Sequence, residues 1–477
     1  MDFTEIYKQT SSLVEFSAGA HFIATAVQDR LIIRRADSFQ ITRTWLIDAS
    51  PSATSVLMSS TKGKASAAAS SSSEKLISHI GWSCDSEYLF AACAKSGTVQ
   101  IFKLADEEWT AHIDSGAEGL VKAEWAPDGR TVLCFSEWGL RVTLWSLVTG
   151  RASYINFPIH PDRGYTFRAD GRYLIMAERH KSKDTLGLYD VAEGYKPVRH
   201  FPLPTSSLSS LALSPSGNHL AIWEGPLEYK LYIISLNGDL LGSFAPDHDP
   251  GFGIRGVAWH PTGMFLAVGG WDDKVYILDS LSWGPVATLG LTGRLGSNIT
   301  FWREPSQWVE DTDGRGFLSY ERIQGPQTIP IGRVDHSKLP KAGIVQMEWN
   351  KTGTLLMTRY ENVPNAVYLY DFPTPSQEFA PKLRSVLIHS SPVLQVRWNP
   401  IRKGNLALCC GLRSIYTWSD EWLGDNDVEE EMAECIGVPT KQFQTRSFKW
   451  APDGKGIILF DQGIFCCAFE VQKETES

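Results

Sequence analysis

Short apolar runs recur along the chain, and each follows a tight turn that comes directly after a bulky apolar residue. The clearest copies of this pattern are residues 125–129 and 450–454, both Trp-Ala-Pro-Asp-Gly. Nine copies are recognisable, and the partial ones begin at Phe16, Trp82, Phe167, Leu213, Trp259, Trp349 and Trp398. Self-similarity at intervals of about 40–50 residues indicates a repeat architecture.

Each repeat has the pattern of four short antiparallel strands. In one repeat the first strand ends at Trp259, the turn is residues 261–263, and the second strand is the apolar run 265–269. A third strand over 274–279 and a more polar fourth over 285–289 complete it. In such a turn Pro presets φ and Gly supplies the positive φ of a tight reversal. Four short strands per repeat form the blade of a β-propeller, so the sequence predicts an all-β propeller.

The two ends of the chain complement each other. The last repeat stops after its third strand, residues 463–469, and residues 3–8 form a strand-like segment that belongs to no repeat. If residues 3–8 supply the missing fourth strand, no sheet edge is left open. We therefore predict one nine-bladed ring over residues 1–477, closed by the N-terminal strand. Two unequal propellers are the alternative.

Two intervals between repeats are longer than the rest. The first contains residues 50–74, which are rich in Ser and Ala and predict a disordered loop insert. The second contains residues 291–342, which are either a long excursion rich in Gly and Pro or a degenerate blade. Near the C-terminus, residues 420–440 predict an acidic loop.

The composition of the chain argues against nucleic acid and membranes as partners. The net charge is −9 and no Lys/Arg-rich block occurs, so nucleic acid is not expected as the main partner. Eight Cys occur without a Cys-x-x-Cys motif, which favours free thiols in a reducing compartment. The chain starts without the pattern of a signal peptide, and its apolar runs are shorter than a membrane helix needs, so no membrane partner is expected.

Several segments are similar to one family over nearly the whole chain. The most specific are residues 227–231, Leu-Glu-Tyr-Lys-Leu, and residues 362–367, Asn-Val-Pro-Asn-Ala-Val. With residues 1–13 they resemble the WD-repeat protein eight family, WD-repeat proteins of the centrosome and the fungal spindle pole body. The chain departs from ordinary WD repeats, because no third strand ends in Trp-Asp and the Gly-His dipeptide is missing.

The resemblance implies a non-enzymatic scaffold in the cytoplasm and cytoskeleton, at the spindle pole body or centrosome. It implies a coiled-coil microtubule-anchoring protein as partner, joined by a minus-end-directed kinesin. Together they would hold microtubule minus ends and control the mitotic spindle. A generic WD-repeat adaptor in another complex, such as translation or ubiquitin ligation, is the alternative.

The sequence predicts no catalytic residue, no cofactor and no metal site. Residues 251–256 match Gly-x-Gly-x-x-Gly, but they lead into a predicted strand, whereas a dinucleotide site needs a helix there. Acidic groups at 247–249 and 311–314 lie in predicted turns, where Asp is expected in any case. His200 and His389 end fourth strands, and we expect structural roles for both.

Partner-binding candidates come from two places. Trp302 and Trp308 lie outside the repeated Trp positions, so they are either exposed anchors for a partner or residues that pack the 291–342 segment against the blades. Glu429, Glu430 and Glu431 lie near the end of an acidic stretch, residues 420–434. They could form a short acidic helix that attracts a basic partner, or part of a solvated loop.

Overall fold

The computed structural model describes residues 1–47, 76–248, 250–312, 314–332, 342–372, 380–423, 429–440 and 442–470. They form two compact units: the first unit is residues 2–202 with 449–477, and the second unit is residues 203–448 with residue 1. The predicted loop insert, residues 50–74, lies outside the described residues. None of the helices in the described ranges is long and apolar enough to cross a membrane.

The first unit begins with two short strands and continues with four antiparallel four-stranded sheets. Their strands are β1 (Asp2–Phe3), β2 (Tyr7–Lys8), β3 (Val14–Phe16), β4 (Phe22–Val27), β5 (Arg30–Arg35), β6 (Ile41–Leu46), β7 (His79–Trp82), β8 (Tyr88–Cys93), β9 (Thr98–Lys103), β10 (Thr110–Asp114), β11 (Lys122–Trp125), β12 (Thr131–Phe135), β13 (Arg141–Ser146), β14 (Ala152–Asn156), β15 (Tyr165–Phe167), β16 (Tyr173–His180), β17 (Lys183–Asp190) and β18 (Lys196–Pro202). Two 3-10 turns, Gly116–Glu118 and Glu137–Gly139, flank β11 and β12.

The second unit has four sheets of the same kind, two of them extended at one edge by short extra strands. Its elements are β19 (Leu208–Leu213), β20 (His219–Glu224), β21 (Leu231–Ser235), β22 (Leu240–Phe244), β23 (Ile254–Trp259), β24 (Phe265–Gly270), β25 (Lys274–Asp279), β26 (Pro285–Gly290), β27 (Arg294–Leu295), β28 (Thr300–Arg303), α1 (Trp308–Asp311), β29 (Phe317–Ser319), β30 (Glu321–Ile323), β31 (Gln327–Thr328), β32 (Ile344–Trp349), β33 (Leu355–Tyr360), β34 (Val363–Asp371), β35 (Lys382–Ile388), β36 (Gln395–Trp398), β37 (Asn405–Cys409), β38 (Ser414–Leu423) and β39 (Glu429–Gly437).

The last sheet is built from both ends of the chain. It contains β40 (Ser447–Trp450), β41 (Gly456–Asp461) and β42 (Ile464–Phe469), and both β1 and β2 pair antiparallel with β42. Phe3 lies opposite Ala468, and Tyr7 lies opposite Phe465. Within the described ranges this makes nine blades, five in the first unit and four in the second. The predictions of an all-β propeller fold, nine blades and an N-terminal strand in the last blade are confirmed.

Burial along each blade explains the apolar runs in the sequence. The second strand is buried on both faces, as in β12, where every residue is buried. The fourth strand is the most exposed, as in β18. A strand buried on both faces carries a continuous apolar run, whereas an edge strand carries polar residues.

The repeated Trp ends the first strand and ties its blade to the blade before it in the chain. Its indole Nε1 donates a hydrogen bond to the carbonyl of the residue that precedes the equivalent position one blade earlier. The bonds run from Trp82 to Glu15 (3.3 Å), Trp125 to Gly81 (2.7 Å), Trp259 to Ala212 (3.0 Å), Trp349 to Ala258 (3.1 Å) and Trp398 to Glu348 (3.0 Å). The indole therefore fills the interface and satisfies a buried carbonyl at once.

The long segment after β26 adds short strands to the edges of two blades. β28 pairs in parallel with β35, and β30 pairs with β28. β29 pairs with β39, the outer strand of the following blade. In its described parts, residues 291–312 and 314–332, the segment has no four-stranded sheet of its own, and it covers two sheet edges that would otherwise be open.

Candidate interaction surface

Trp302 and Trp308 are buried in the second unit, with 5% and 2% of their surface exposed. They belong to an apolar cluster that includes Tyr416 and Trp418, formed where the added strands pack on the two blades. The prediction that these two Trp are exposed anchors is wrong. Burial of the two indoles in this cluster packs the 291–342 segment against the blades. This was the other interpretation of Trp302 and Trp308.

The acidic stretch is mostly strand, so the predictions of an acidic loop over 420–440 and of a short helix are wrong. β38 and β39 run through it, and residues 424–428 lie outside the described residues. Glu430 is exposed, whereas the Glu431 side chain points inward with 10% of its surface exposed. Of Glu429 only the position in β39 is described. A partner-binding role for Glu429 or Glu430 stays a prediction.

Glu431 is an internal acceptor. Its Oε1 accepts hydrogen bonds from the indole Nε1 of Trp302 (2.8 Å), from Nε1 of Trp418 (2.9 Å) and from the Ser385 hydroxyl. Its Oε2 lies 3.4 Å from Nε of Arg384. The Glu431 carboxylate therefore bonds to residues of its own unit, and it is not available to a basic partner.

A second buried carboxylate, Glu304, lines a cleft of about 710 Å³. Its Oε1 accepts from the Trp308 Nε1 (2.9 Å) and the Tyr416 hydroxyl, and its Oε2 accepts from the backbone N (2.8 Å) and hydroxyl (2.7 Å) of Ser390. Burial alone would raise the pKa of Glu304, but these hydrogen bonds lower it below the ordinary value. The carboxylate is held in its ionised form, and hydrogen bonds occupy both of its oxygens. It therefore fixes the position of the segment after β26 and is poorly suited to proton transfer.

His389 lies next to this carboxylate and is held neutral. Burial lowers its pKa to about 4; the Glu304 carboxylate opposes the shift and the Arg359 guanidinium adds to it. The hydroxyl of Tyr320 lies 3.4 Å from each ring nitrogen, and the Tyr416 ring packs at 4.9 Å. The ring is therefore an uncharged packing element at neutral pH.

This neutral histidine should make the protein sensitive to acid. Between pH 6.5 and pH 4 the unfolded chain binds a proton at His389 that the folded chain does not. The free energy of unfolding should therefore fall as the pH drops through this range, by up to about 1.4 kcal/mol per pH unit. We expect His389→Gln to flatten this slope in urea unfolding measured at several pH values. The exposed His112, changed to Gln, is the control, and an unchanged slope in His389→Gln would contradict the assignment.

An exposed apolar patch stands out in the first unit. The Trp138 patch consists of Trp138, Leu140 and Phe157, with 90%, 44% and 49% of their surfaces exposed. Trp138 and Leu140 belong to the connection from β12 to β13, and Phe157 directly follows β14. The Phe157 N donates to the Leu140 carbonyl (2.9 Å), so the two connections that carry these residues lie side by side. Exposed aromatic side chains grouped in this way mark interaction sites.

Two residues of the patch have a backbone conformation that large side chains rarely adopt. Trp138 has φ 62° and Phe157 has φ 59°. The left-handed region costs a residue with a side chain roughly 1–2 kcal/mol. Strain at two exposed aromatic residues that contribute little to the core is typical of functional sites.

A basic hairpin lies beside the patch. Arg179 N donates to the Phe157 carbonyl (2.9 Å), and the rings of Phe157 and His180 meet edge to face at 5.6 Å. His180 pairs with Lys183 across a two-residue turn, and Lys181 and Lys183 are both exposed. The patch therefore has an apolar centre and a positively charged side, although the chain as a whole is acidic.

Comparison with known proteins decides the family. The family described as "WD domain, G-beta repeat" matches residues 238–279. The WD repeat-containing protein WRAP73 of Mus musculus is 31% identical over 496 residues, which cover 99% of this chain and 97% of that protein. The chain is a WD-repeat protein.

The matched WD repeat is offset from the blade. Residues 238–279 contain β22, the outer strand of one blade, followed by the first three strands of the next. The same offset leaves the last blade short of an outer strand, which β1 and β2 provide.

Two further similarities are at lower sequence identity. An uncharacterized WD repeat-containing protein of Schizosaccharomyces pombe is 21% identical over 400 residues, which cover 80% of this WD-repeat protein and 77% of that one. The crystal structure of Sqt1 from Chaetomium thermophilum covers 82% of this chain and 95% of its own, at 13% identity and a TM-score of 0.48.

The sequence analysis missed the Trp138 patch, although one signal was present. Trp138 lies outside the repeated Trp positions and precedes Gly139, so it falls in a turn between two strands of a WD repeat. The side chain of a Trp in a tight turn has little access to the hydrophobic core. Phe157 could not be recognised in this way, because only the fold brings it beside Leu140.

Exposure and strain together predict an unusual mutational result. Replacing Trp138 by Gly removes a side chain that is 90% exposed and relieves the cost of φ 62°. We expect Trp138→Gly to raise the free energy of unfolding by about 1 kcal/mol. Urea unfolding measures this, and Val148→Gly, a change at another exposed residue, serves as the control. A destabilisation by Trp138→Gly larger than that of the control would show that the side chain supports the fold.

Proposed function

We propose that this WD-repeat protein is a non-enzymatic scaffold of the spindle pole body or centrosome. There it would help anchor microtubule minus ends and control the mitotic spindle, together with a coiled-coil anchoring partner and a minus-end-directed kinesin. The observation that carries the scaffold role is the 31% identity to a WD repeat-containing protein over 99% of the chain. Proteins of the WD-repeat class are typically non-enzymatic scaffolds. The resemblance of residues 227–231 and 362–367 supports the location.

Both segments contain buried residues, although Leu227 is 80% exposed. Tyr229 is buried, and its ring packs edge to face against Phe244 at 6.4 Å. Asn362 donates from Nδ2 to the Asp273 carboxylate (2.8 Å) and so joins two blades of the second unit. These buried residues explain the resemblance through packing and do not themselves form a surface for a partner.

We assign the coiled-coil partner to the Trp138 patch. One helix of a coiled coil presents an apolar stripe flanked by charged positions. Trp138 and Phe157 would contact the stripe, and Lys181 and Lys183 would contact acidic flanking residues. The two aromatic residues would supply most of the binding energy, since a few large anchors dominate such interfaces.

Imaging tests the location. The protein, tagged at its chromosomal locus, should concentrate in foci at the poles of mitotic spindles in its native host. A diffuse signal throughout mitosis would count decisively against the proposal. Affinity purification from the same cells should recover a coiled-coil spindle protein, whereas ribosomal or cullin components would support the generic adaptor instead.

Variants test the surface separately from the location. Trp138→Ala combined with Phe157→Ala should reduce recovery of the coiled-coil partner at least about tenfold, the usual effect of losing an anchor residue. Leu281→Ala removes an equally exposed apolar side chain, 94% exposed, in the second unit and should leave recovery unchanged. Full recovery with the double variant would refute the patch while leaving the location intact.

A further inference from the structure

Three potential metal ligands converge on one blade of the first unit. Glu178 and His180 lie on β16, and His200 lies on β18. Both Nε2 atoms approach the same carboxylate oxygen, Glu178 Oε2: His180 at 2.7 Å and His200 at 3.1 Å. The three ligand atoms all lie within 4.8 Å of one another. We infer that Glu178, His180 and His200 form a binding site for a divalent transition metal, with Zn²⁺ the best fit.

Strand register explains how the ligands meet. Glu178 and His180 are two residues apart, so they share one face of β16, and His200 lies opposite Gly187 of the intervening β17. Strands β16 and β18 are separated by β17, roughly 10 Å apart, so their side chains can meet only across it. Gly187 leaves that space open: a Cβ there would lie 2.3 Å from Glu178 Oε1.

The carboxylate is already oriented for this task. The side chain of Glu178 is 3% exposed, and its other oxygen, Oε1, accepts a hydrogen bond from the hydroxyl of Tyr189. Ligating carboxylates are commonly held by such an outer hydrogen bond, which fixes the oxygen that faces the metal. Tyr189 is thus a positioning residue, and Oε2 remains directed at the two imidazoles.

The histidines provide an entry path and an open position. Their side chains are 37% and 41% exposed, so the ion can reach the site from solvent. In a tetrahedral zinc site with bonds of 2.0–2.2 Å, neighbouring ligand atoms lie roughly 3.3 Å apart. The Nε2 atoms of His180 and His200 now lie 2.7 and 3.1 Å from Glu178 Oε2, so these separations would widen by about 0.6 and 0.2 Å on binding. Two His and one Glu leave the fourth position for water, a set that zinc accepts.

From the sequence we expected a structural role for His200 and predicted no metal site, and the proposed site differs from both expectations. The ligands are separated by the whole of β17 in sequence, so no short ligand motif marks them. The site also does not depend on the proposed scaffold role, because a metal that joins β16 to β18 would stabilise the blade in any WD-repeat complex.

Direct titration of Zn²⁺ tests the site. Untagged full-length protein, stripped with a chelator and dialysed, is titrated in competition with a chromogenic zinc chelator. We expect one equivalent bound, and a melting temperature that rises with zinc, because a ligand bound only by the folded state stabilises it. Replacing Zn²⁺ by Co²⁺ should give the visible absorption of a four-coordinate ion.

Matched variants distinguish this site from adventitious binding. His180→Ala and His200→Ala should each weaken zinc binding at least about 100-fold, and Tyr189→Phe about tenfold, as expected for an outer partner. His112→Ala, an exposed histidine on β10, should change nothing. Circular dichroism checks that each variant is folded. Wild-type protein that binds no tighter than the His180→Ala, His200→Ala double variant would overturn the inference.

Discussion

Deleting residues 2–9 should lower the melting temperature by at least about 10 °C. The deletion removes β1 and β2 and their pairing with the edge of β42. It also removes two further backbone hydrogen bonds, from Thr4 N to the Cys467 carbonyl and from Gln9 N to the Gly463 carbonyl, both 2.9 Å. It also removes the Tyr7 ring, which stacks on Phe39 at 5.4 Å and packs on Phe465 at 5.6 Å.

The expected fall in melting temperature follows from the buried side chains and backbone groups that the deletion would expose. Phe465 and Cys467 are fully buried in the last blade, and the open β42 edge would expose unpaired backbone groups. Loss of a packed aromatic ring costs about 3 kcal/mol, and each lost hydrogen bond about 1 kcal/mol. For units of about 200 residues, 1 kcal/mol corresponds to roughly 2–4 °C, so about 5 kcal/mol gives at least about 10 °C.

Scanning calorimetry and light scattering measure the deletion. We expect a lower transition temperature and earlier aggregation, because an open apolar edge pairs with other chains. Tyr7→Ala should reproduce part of the loss, and Lys8→Ala, an exposed neighbour on the same strand, should match the wild type. An unchanged melting temperature after the deletion would show that β1 and β2 do not hold the last blade.

Glu431→Ala should destabilise the second unit by about 3–5 kcal/mol, the cost of removing one partner of a buried ionic contact. The change leaves the indole N–H groups of Trp302 and Trp418 without their acceptor and removes the carboxylate that lies 3.4 Å from Arg384 Nε. Glu431→Gln, which keeps an acceptor oxygen and loses the charge, should cost less, about 1–2 kcal/mol.

The neighbouring glutamate provides the control. Glu430 precedes Glu431 on β39 and is exposed, because successive residues of a strand point to opposite faces. Glu430→Ala should change the free energy of unfolding by no more than about 0.5 kcal/mol. Urea unfolding followed by Trp fluorescence measures all three variants, and equal effects of the two alanine changes would contradict the internal role of Glu431.

Local signals in the sequence predicted the blades well, and the reason is physical. A doubly buried strand such as β12 must be apolar throughout, and its turn needs Pro, Asp and Gly at fixed places. Trp125 and its equivalents recur because each fills an interface and donates to a carbonyl one blade earlier. These requirements act within one repeat and its neighbour, so they are visible as a period in the sequence.

Long-range pairing could not be predicted in the same way. The sequence could not show whether Trp302 is exposed, because its burial depends on the parallel pairing of β28 with β35, far along the chain. The orientation of Glu431 similarly depends on indole donors more than ten residues away. An acidic stretch has the same composition whether it is a solvated loop or a strand with one inward carboxylate.

The sequence by itself determined the repeat, the nine blades and the outer strand that the N-terminus supplies, because each rests on contacts between adjacent segments or on the incomplete last repeat. Only the tertiary structure placed Phe157 beside Leu140 of the Trp138 patch, and Glu178 beside His180 and His200. Those groupings depend on which strands are neighbours, and on the space that a glycine such as Gly187 leaves to the side chains around it, and neither leaves a pattern in the linear chain.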